Sequence, residues 1–406
     1  MKLSSRVQNI SESITLKLNA KAVAMADSGV QVYNLTAGQL PFRPTSDFVG
    51  HIRGELDFLK SYQYSPVPGF PELRKKILAQ VEKTRGVSFA DYNFDCAVSN
   101  GGKHAITNVL SCLVDKGDEV ITLAPYWVSY PEMIKFCQGT PVVVESSFFN
   151  AYVPSVSEIE SKITSKTKVV IINSPNNPAG ISYSEEWMRD FGEMMTRHQD
   201  ITILSDEIYY QLYYYDPKPA CFYQTHPELL KRTVIIDGIS KTLASTGLRI
   251  GFTLAPKEFI GAITKLQGQT SSGANSLIQR ALMQFDFDKV EEFLAPIKKH
   301  LRENSEVIRE KLRESNMANS WYQSSSAFYY LLDFSKSPCF ENLRKEHPEV
   351  EDLSPVICEQ LLEDHGVAMV PGTAFGAPNT ARLSLVSPRE TFEQAVDRIV
   401  AYLKGN

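Results

Sequence analysis

No stretch of about 18 consecutive apolar residues, the length a helix needs to cross a bilayer, occurs in this 406-residue chain. Positive charge does not accumulate either: 42 Lys and Arg stand against 47 Asp and Glu, a net charge of -5. That balance offers no electrostatic footprint for nucleic acid, so neither a membrane nor a nucleic acid is implied as a partner. The six cysteines (Cys96, Cys112, Cys137, Cys221, Cys339 and Cys358) form no C-x-x-C pair, and no histidine stands near them at metal-ligand spacing. No metal site is implied. Cys112, within Val109-Leu110-Ser111-Cys112-Leu113-Val114, reads as a reduced thiol packing as a small hydrophobe. The polar start, Met1 to Arg6, lacks the apolar core of a secretory signal and leads to the expectation of a cytoplasmic protein. Missing too are the G-x-G-x-x-G of a dinucleotide site and the G-x-x-x-x-G-K-[ST] of a nucleotide-binding loop.

What is present is an ordinary globular composition, 43% hydrophobic and 22% charged, in a chain long enough for about two domains. A helical pattern covers residues 14–26, and a short strand is expected over Val30–Leu35. Apolar runs then alternate with amphipathic stretches. Cys96–Ser99, Glu119–Ala124, Pro141–Glu145, Lys168–Ile172, the run from Ile201 and Thr233–Asp237 read as strands. Chemically useful residues cluster just past their ends. This predicts an α/β fold, a doubly wound and mostly parallel sheet that binds ligands at the carboxyl ends of its strands. From about Phe285 the texture changes to long amphipathic helices, beginning with Val290–Leu312, followed by a strand over Ala327–Asp333 and a last helix over Arg389–Lys404. We therefore expect a large domain over 45–288 and a smaller α+β domain over 289–406, which the N-terminal segment 1–44 joins.

Five strand exits carry the chemistry. Asp237-Gly238-Ile239-Ser240-Lys241 places an amine where a buried strand emerges, and Thr246-Gly247-Leu248-Arg249 places a guanidinium eight residues on. A desolvated lysine is suited to Schiff-base chemistry, and an arginine nearby can hold a phosphate in a fork. Asn100-Gly101-Gly102-Lys103 opens a helix after a strand, an arrangement whose backbone N–H groups and dipole favour an anion. Trp127, past another strand, could stack on a flat ring or fill a core. Asn173-Ser174-Pro175-Asn176-Asn177-Pro178-Ala179-Gly180 is a loop stiffened by two prolines, with amides free to donate. Ser205-Asp206-Glu207-Ile208-Tyr209 puts two carboxylates at a strand exit, where a buried negative charge requires a cationic partner.

Taken in order, these stations resemble the class I aminotransferases, the fold-type I enzymes that use pyridoxal 5'-phosphate (PLP), and above all their aspartate aminotransferase branch. The resemblance runs from about residue 5 to residue 403 and ends in Ala381-Arg382-Leu383-Ser384. It implies an enzyme that transfers an amino group between an amino acid, aspartate or an aromatic one, and a 2-oxo acid such as 2-oxoglutarate. By resemblance Lys241 forms the Schiff base with PLP, Asp206 pairs with the ring nitrogen, and Tyr209 and Asn177 bond the ring's phenolic oxygen. Trp127 stacks on the ring. Arg249, Ser240 and the Gly101-Gly102-Lys103 helix start hold the phosphate, with Tyr64 reaching in from a second subunit of a homodimer. Arg382 binds the substrate α-carboxylate, with Trp127, Asn177 and Gly38 beside it.

Three positions depart from the family pattern. Gly238 stands three residues before the lysine, where many members have Ser or Thr as a phosphate ligand. The positions near Ser111 and Gly268 are neutral where aspartate-specific relatives place a cation for the distal carboxylate. Arg43, after the turn at Gly38, is the one relocated cation the sequence offers, and a solvated surface arginine is the plainer reading of it. Two other functions share the pattern: a PLP-dependent carbon–sulfur lyase on the same fold, and a PLP-binding regulatory module without turnover.

Overall fold

The computed structural model describes residues 1–12, 14–317 and 322–405. Its twelve described strands are β1 (Tyr33–Asn34), β2 (Phe94–Ser99), β3 (Glu119–Leu123), β4 (Thr140–Val144), β5 (Thr167–Asn173), β6 (Thr202–Asp206), β7 (Thr233–Gly238), β8 (Gly251–Pro256), β9 (Tyr329–Asp333), β10 (Val367–Ala368), β11 (Val370–Pro371) and β12 (Thr380–Ser384). Seven of them form one sheet in the order β2-β8-β7-β6-β5-β3-β4. Neighbours from β7 through β4 are parallel, as the near-continuous apolar runs predicted for strands covered on both faces. Successive residues of these strands feed opposite layers. Val170, Ile172, Ile203 and Ile235 join one apolar core, whereas Val169, Ile171, Leu204 and Val234 join another on the opposite face.

β8 runs antiparallel to both of its neighbours. The chain leaves β7, makes one helical turn over Ile239–Thr242 and a 3₁₀ turn over Thr246–Leu248, and re-enters the sheet from the same end. Lys241 and Arg249 therefore stay at that end, with Asp206 at the exit of the adjacent β6.

Beyond this sheet, β11, β12 and β9 form a three-stranded antiparallel sheet, and β1 pairs in parallel with β10. The N-terminal segment is thus stitched to the C-terminal part of the chain: Leu35 N–H donates to Ala368 O, and Ser384 N–H donates to Leu35 O.

Several expected elements shift. The helix expected over 14–26 is found over Ile14–Asp27, but the strand expected over Val30–Leu35 shrinks to Tyr33–Asn34. Helices Ser46–Glu55, Lys257–Thr270, Ser276–Gln284 and Pro338–Glu346 had no counterpart in the sequence reading. Gly50 and Gly54 interrupt the first and Gly261 and Gly268 the second, which masks a helical period that tertiary packing nevertheless enforces.

Candidate active site

The strand ends border a cavity of about 490 Å³, a size suited to a small molecule. Asp206, Lys241, Arg382, Asn177 and Tyr209 line it as buried side chains, and Arg249 and Lys103 stand at its exposed rim. Trp127, Gly38, Gly102 and Ser240 complete the part of its lining that the sequence pointed to.

Lys241 sits on the one-turn helix after β7, its Nζ donating to Gly38 O at 2.6 Å. Burial, then the positive charges of Arg382 and Arg249, bring its pKa down from 10.5 to about 7, with Asp206 opposing. An amine so placed is substantially neutral, hence nucleophilic, at physiological pH. Asp206 shows the reverse effect. Burial raises its pKa to about 6, against hydrogen bonds from Tyr130 and Ile208 and with Asp237 and Glu207 pushing the same way as burial. Tyr130 Oη donates to Asp206 Oδ2 at 2.5 Å, and Ile208 N–H to Oδ1 at 3.3 Å. Where the sequence called for a cation, the chain supplies a phenol.

Arg382 reaches the cavity from β12. One terminal nitrogen donates to Asn177 Oδ1 (3.1 Å), the other to Thr36 O (3.0 Å), while Nε has no partner among the described residues. Its guanidinium lies 4.4 Å from the Tyr329 ring centre and 5.0 Å from that of Phe375, both within cation–π range. Asn177 is itself held: its N–H donates to Asn173 Oδ1 (3.0 Å) and its Nδ2 to Tyr209 Oη (3.5 Å). Tyr209 Oη lies 3.3 Å from Tyr329 Oη.

Arg249 donates to Thr246 O (2.9 Å) and lies against the start of helix Gly102–Leu113. Gly101 has φ +86, and a Cβ there would meet the Arg249 guanidinium at 2.6 Å, so glycine permits both the turn and the approach. Gly238 has a steric explanation as well. A Cβ at that position would sit 2.8 Å from Ile250 O and 3.0 Å from the Gly251 Cα, so the close pairing of β7 with β8 leaves no room for a Ser or Thr.

Three sequence-derived positions lie outside the lining. Tyr64 is 94% exposed and does not line the cavity of its own chain. Arg43 is exposed and lies outside the lining of its own chain's cavity. Gly101 backs Arg249 rather than facing the cavity. Conversely, the sequence reading missed Thr15, Tyr130 and Tyr329, all of which line it. Tyr130 follows Trp127 by three residues across the turn that opens helix Ser129–Phe136, its N–H donating to Trp127 O at 2.9 Å, and that closeness to Trp127 is the signal that would have found it.

Residues 30–399 match the family described as Aminotransferase class I and II. The chain belongs to that family. It is 32% identical over 405 residues to an aspartate aminotransferase of Geobacillus stearothermophilus, covering 100% of both chains. It is 34% identical over 404 residues to a probable aspartate/prephenate aminotransferase of Thermus aquaticus, covering 99% of each. Among solved structures, aspartate aminotransferase from Thermus thermophilus with maleate superposes with a TM-score of 0.87 at 32% identity, over 98% of this chain and 99% of that one. The protein is thus a PLP-dependent aminotransferase acting on small molecules, built on the fold-type I α/β architecture.

The cavity fits that cofactor. Among the described residues Asp206 forms no ion pair, which leaves a buried carboxylate suited to a cationic ring nitrogen. Arg249 at a glycine-lined helix start suits a phosphate, and Arg382, with an unused Nε–H, suits a carboxylate. No helix among the described residues is long and apolar enough to cross a membrane, and no cluster of metal-binding side chains occurs among them.

Proposed function

We propose that the chain transfers the amino group of aspartate or an aromatic amino acid to a 2-oxo acid such as 2-oxoglutarate. The observation that carries this reading is the convergence of Lys241, Asp206 and Arg382, all buried, with Arg249 on one cavity. The names of the relatives support the substrates: aspartate for the Geobacillus enzyme, aspartate and prephenate for that of Thermus aquaticus, and a four-carbon dicarboxylate in the Thermus thermophilus structure.

In this reading Asp206 faces the ring nitrogen of PLP, Tyr209 and Asn177 bond its ring oxygen, and Trp127 covers one face. Arg249, Ser240 and the Gly102-Lys103 helix start hold the phosphate, with Gly101 behind Arg249. When bound, PLP supplies an electron sink for the negative charge that develops at the substrate Cα. Arg382 takes the α-carboxylate in a fork, with the Tyr329 ring within cation–π range of the guanidinium. Trp127, Asn177 and Gly38 border that carboxylate. Lys241, whose lowered pKa of about 7 leaves much of it neutral at physiological pH, binds the cofactor and then removes the Cα proton; a positioned base of this kind contributes about 10²–10⁴-fold.

The homodimer belongs to the same proposal. Leu56, Phe58, Leu59, Tyr62 and Tyr64 are all exposed, an apolar stretch that suits a second copy of the chain and would carry Tyr64 to the neighbouring phosphate site. So does the division into a large unit, 45–288, and a small one, 289–406 with 1–44. The seven-stranded sheet lying wholly within residues 94–256 and the pairing of β1 with β10 support it. A cytoplasmic setting suits six cysteines that all stand as free thiols.

The test is spectroscopic. Single amino acids are added to the PLP-loaded protein with no 2-oxo acid present. Bleaching of the cofactor's visible band by aspartate or by aromatic amino acids would support the reading and rank the donors. Failure of any amino acid to bleach it would sink it.

A further inference from the structure

Three carboxylates crowd the exits of β6 and β7: Asp206, Glu207 and Asp237. Only Asp206 lines the cavity, and the family chemistry gives no work to the other two. Both are nonetheless buried, Glu207 at 1% and Asp237 at 7% exposure, and both converge on one cation, Arg85, itself 1% exposed. Arg85 Nε donates to Glu207 Oε2 at 2.9 Å and a terminal nitrogen to Asp237 Oδ2 at 2.6 Å. The remaining terminal nitrogen donates to Thr84 Oγ1 at 2.8 Å, and the guanidinium lies 3.9 Å from the Tyr210 ring centre. Glu207 Oε1 accepts from Ser205 and Tyr223, each at 2.8 Å, and Asp237 Oδ1 accepts from Gly238 N–H at 2.7 Å.

The backbone is arranged to deliver Arg85 there. It is the last residue of helix Pro71–Arg85, which Gly86 ends in the left-handed conformation (φ +67), and Gln224 Nε2 caps Arg85 O at 2.6 Å. Stability alone is a poor reason for such a cluster, because well-packed apolar residues replace buried ion pairs at little or no cost. Its position suggests another. Glu207 follows Asp206 directly, and Asp237 lies four residues before Lys241. Two uncompensated charges here would oppose ionisation of Asp206, since like charges close together favour the protonated carboxyl.

We propose that Arg85 is a positioning residue for the cofactor: by forking Glu207 and Asp237 together it offsets their charge and leaves Asp206 ionised to meet the ring nitrogen. The inference rests on the role proposed above for Asp206. It also accounts for the second member of the acidic pair, which the aminotransferase reading leaves idle.

The experiment measures PLP affinity of the full-length protein by absorbance titration in wild type, Arg85→Met, and the triple variant Arg85→Met/Glu207→Gln/Asp237→Asn. With a pKa of about 6, Asp206 must rise by about two units before its ionisation costs tenfold at pH 7, and exposure to two buried like charges that have lost their cation is expected to produce a shift of that size, so Arg85→Met should weaken PLP binding about tenfold at pH 7. The triple variant removes the two negative charges along with the positive one and should recover to within about threefold of wild type. Equal weakening in both variants would mean that Arg85 merely holds the fold, and unchanged affinity in Arg85→Met would mean that it does nothing for the cofactor. Glu207→Gln keeps Arg85 in place, and it covers the case in which Arg85→Met fails to fold. It should bind PLP at least as tightly as wild type if charge is what matters, whereas weaker binding would overturn the proposal. A wild-type protein that gives no visible band with PLP would instead overturn the Asp206 reading itself.

Discussion

Replacing Lys241 by methionine should stabilise the cofactor-free protein near pH 7, although it removes the residue proposed to do the chemistry. Burial, with Arg382 and Arg249 nearby, lowers the pKa of this amine from 10.5 to about 7. At about 1.36 kcal/mol per pH unit, accommodating it costs the folded chain roughly 4–5 kcal/mol at neutral pH. Methionine fills a similar volume without charge but forfeits the hydrogen bond to Gly38 O, a loss of about 1 kcal/mol. The net gain is about 3 kcal/mol, or roughly 3–4 °C in melting temperature for a chain of this length. The sign follows from proton counting. Between pH 7 and 10.5 the unfolded chain holds a proton on Lys241 that the folded chain lacks, so wild-type stability rises with pH through that window. Lys241→Met has no such dependence. The gap between the two should therefore be widest at or below pH 7 and close by about 1.4 kcal/mol per unit above it, nearly vanishing at pH 9. Thermal unfolding of both cofactor-free proteins at pH 6.5, 7.5, 8.5 and 9.5 measures this directly. A gap that does not change with pH, or a variant less stable at pH 7, would refute the desolvation argument.

Tyr130→Phe removes the hydroxyl that donates to Asp206. A hydrogen bond to a charged group is worth about 1.5–3 kcal/mol, so PLP affinity should fall about 10- to 100-fold, read by titration, with the melting temperature of the loaded and unloaded forms separating effects on binding from effects on folding. Arg382→Ala should lower kcat/KM for amino acids by about 10²-fold or more, while amines without an α-carboxylate lose little; equal losses on both would remove Arg382 from carboxylate binding. Gly238→Ser should destabilise the fold by about 1–3 kcal/mol in urea unfolding, because its Cβ would meet the backbone of Ile250 and Gly251. An unaffected midpoint would mean that β8 yields there, and the absence of Ser or Thr at this position would need another explanation.

The parallel part of the sheet could be read from the chain because strands covered on both faces must be apolar at every position, as Val169-Val170-Ile171-Ile172 is. Lys241, Asp206 and Asn177 were equally legible, since polar side chains directly after such runs have few places to go but the strand ends. Harder to see was anything that depends on which way a strand runs. The segment Ile250–Phe252 is as apolar as its neighbours, and only the turn at Ser245–Arg249, with Arg249 in the left-handed region at φ 54, sends β8 back antiparallel. Tyr130 and Tyr329 escaped notice because an aromatic residue in an apolar stretch looks like core until its hydroxyl is placed.

The acidic pair at Asp206 and Glu207 is the sharpest case. A buried carboxylate requires a cation, but that rule does not say which carboxylates find one within the chain. Glu207 finds its cation in Arg85, 122 positions earlier in the chain, and Asp237 shares it. Asp206 finds none among the described residues, only a tyrosine hydroxyl and a backbone N–H. Of three neighbouring carboxylates the fold gives the two outside the cavity lining one shared cation and leaves the third without one among the described residues. A site that must accept a cationic ring needs that asymmetry, because an Asp206 already paired within the chain would have to break an ion pair before it could bind. Local sequence can show that three negative charges meet at these strand ends, but not which of them stays unpaired. That choice is made by where helix Pro71–Arg85 stops, and it stops at Gly86.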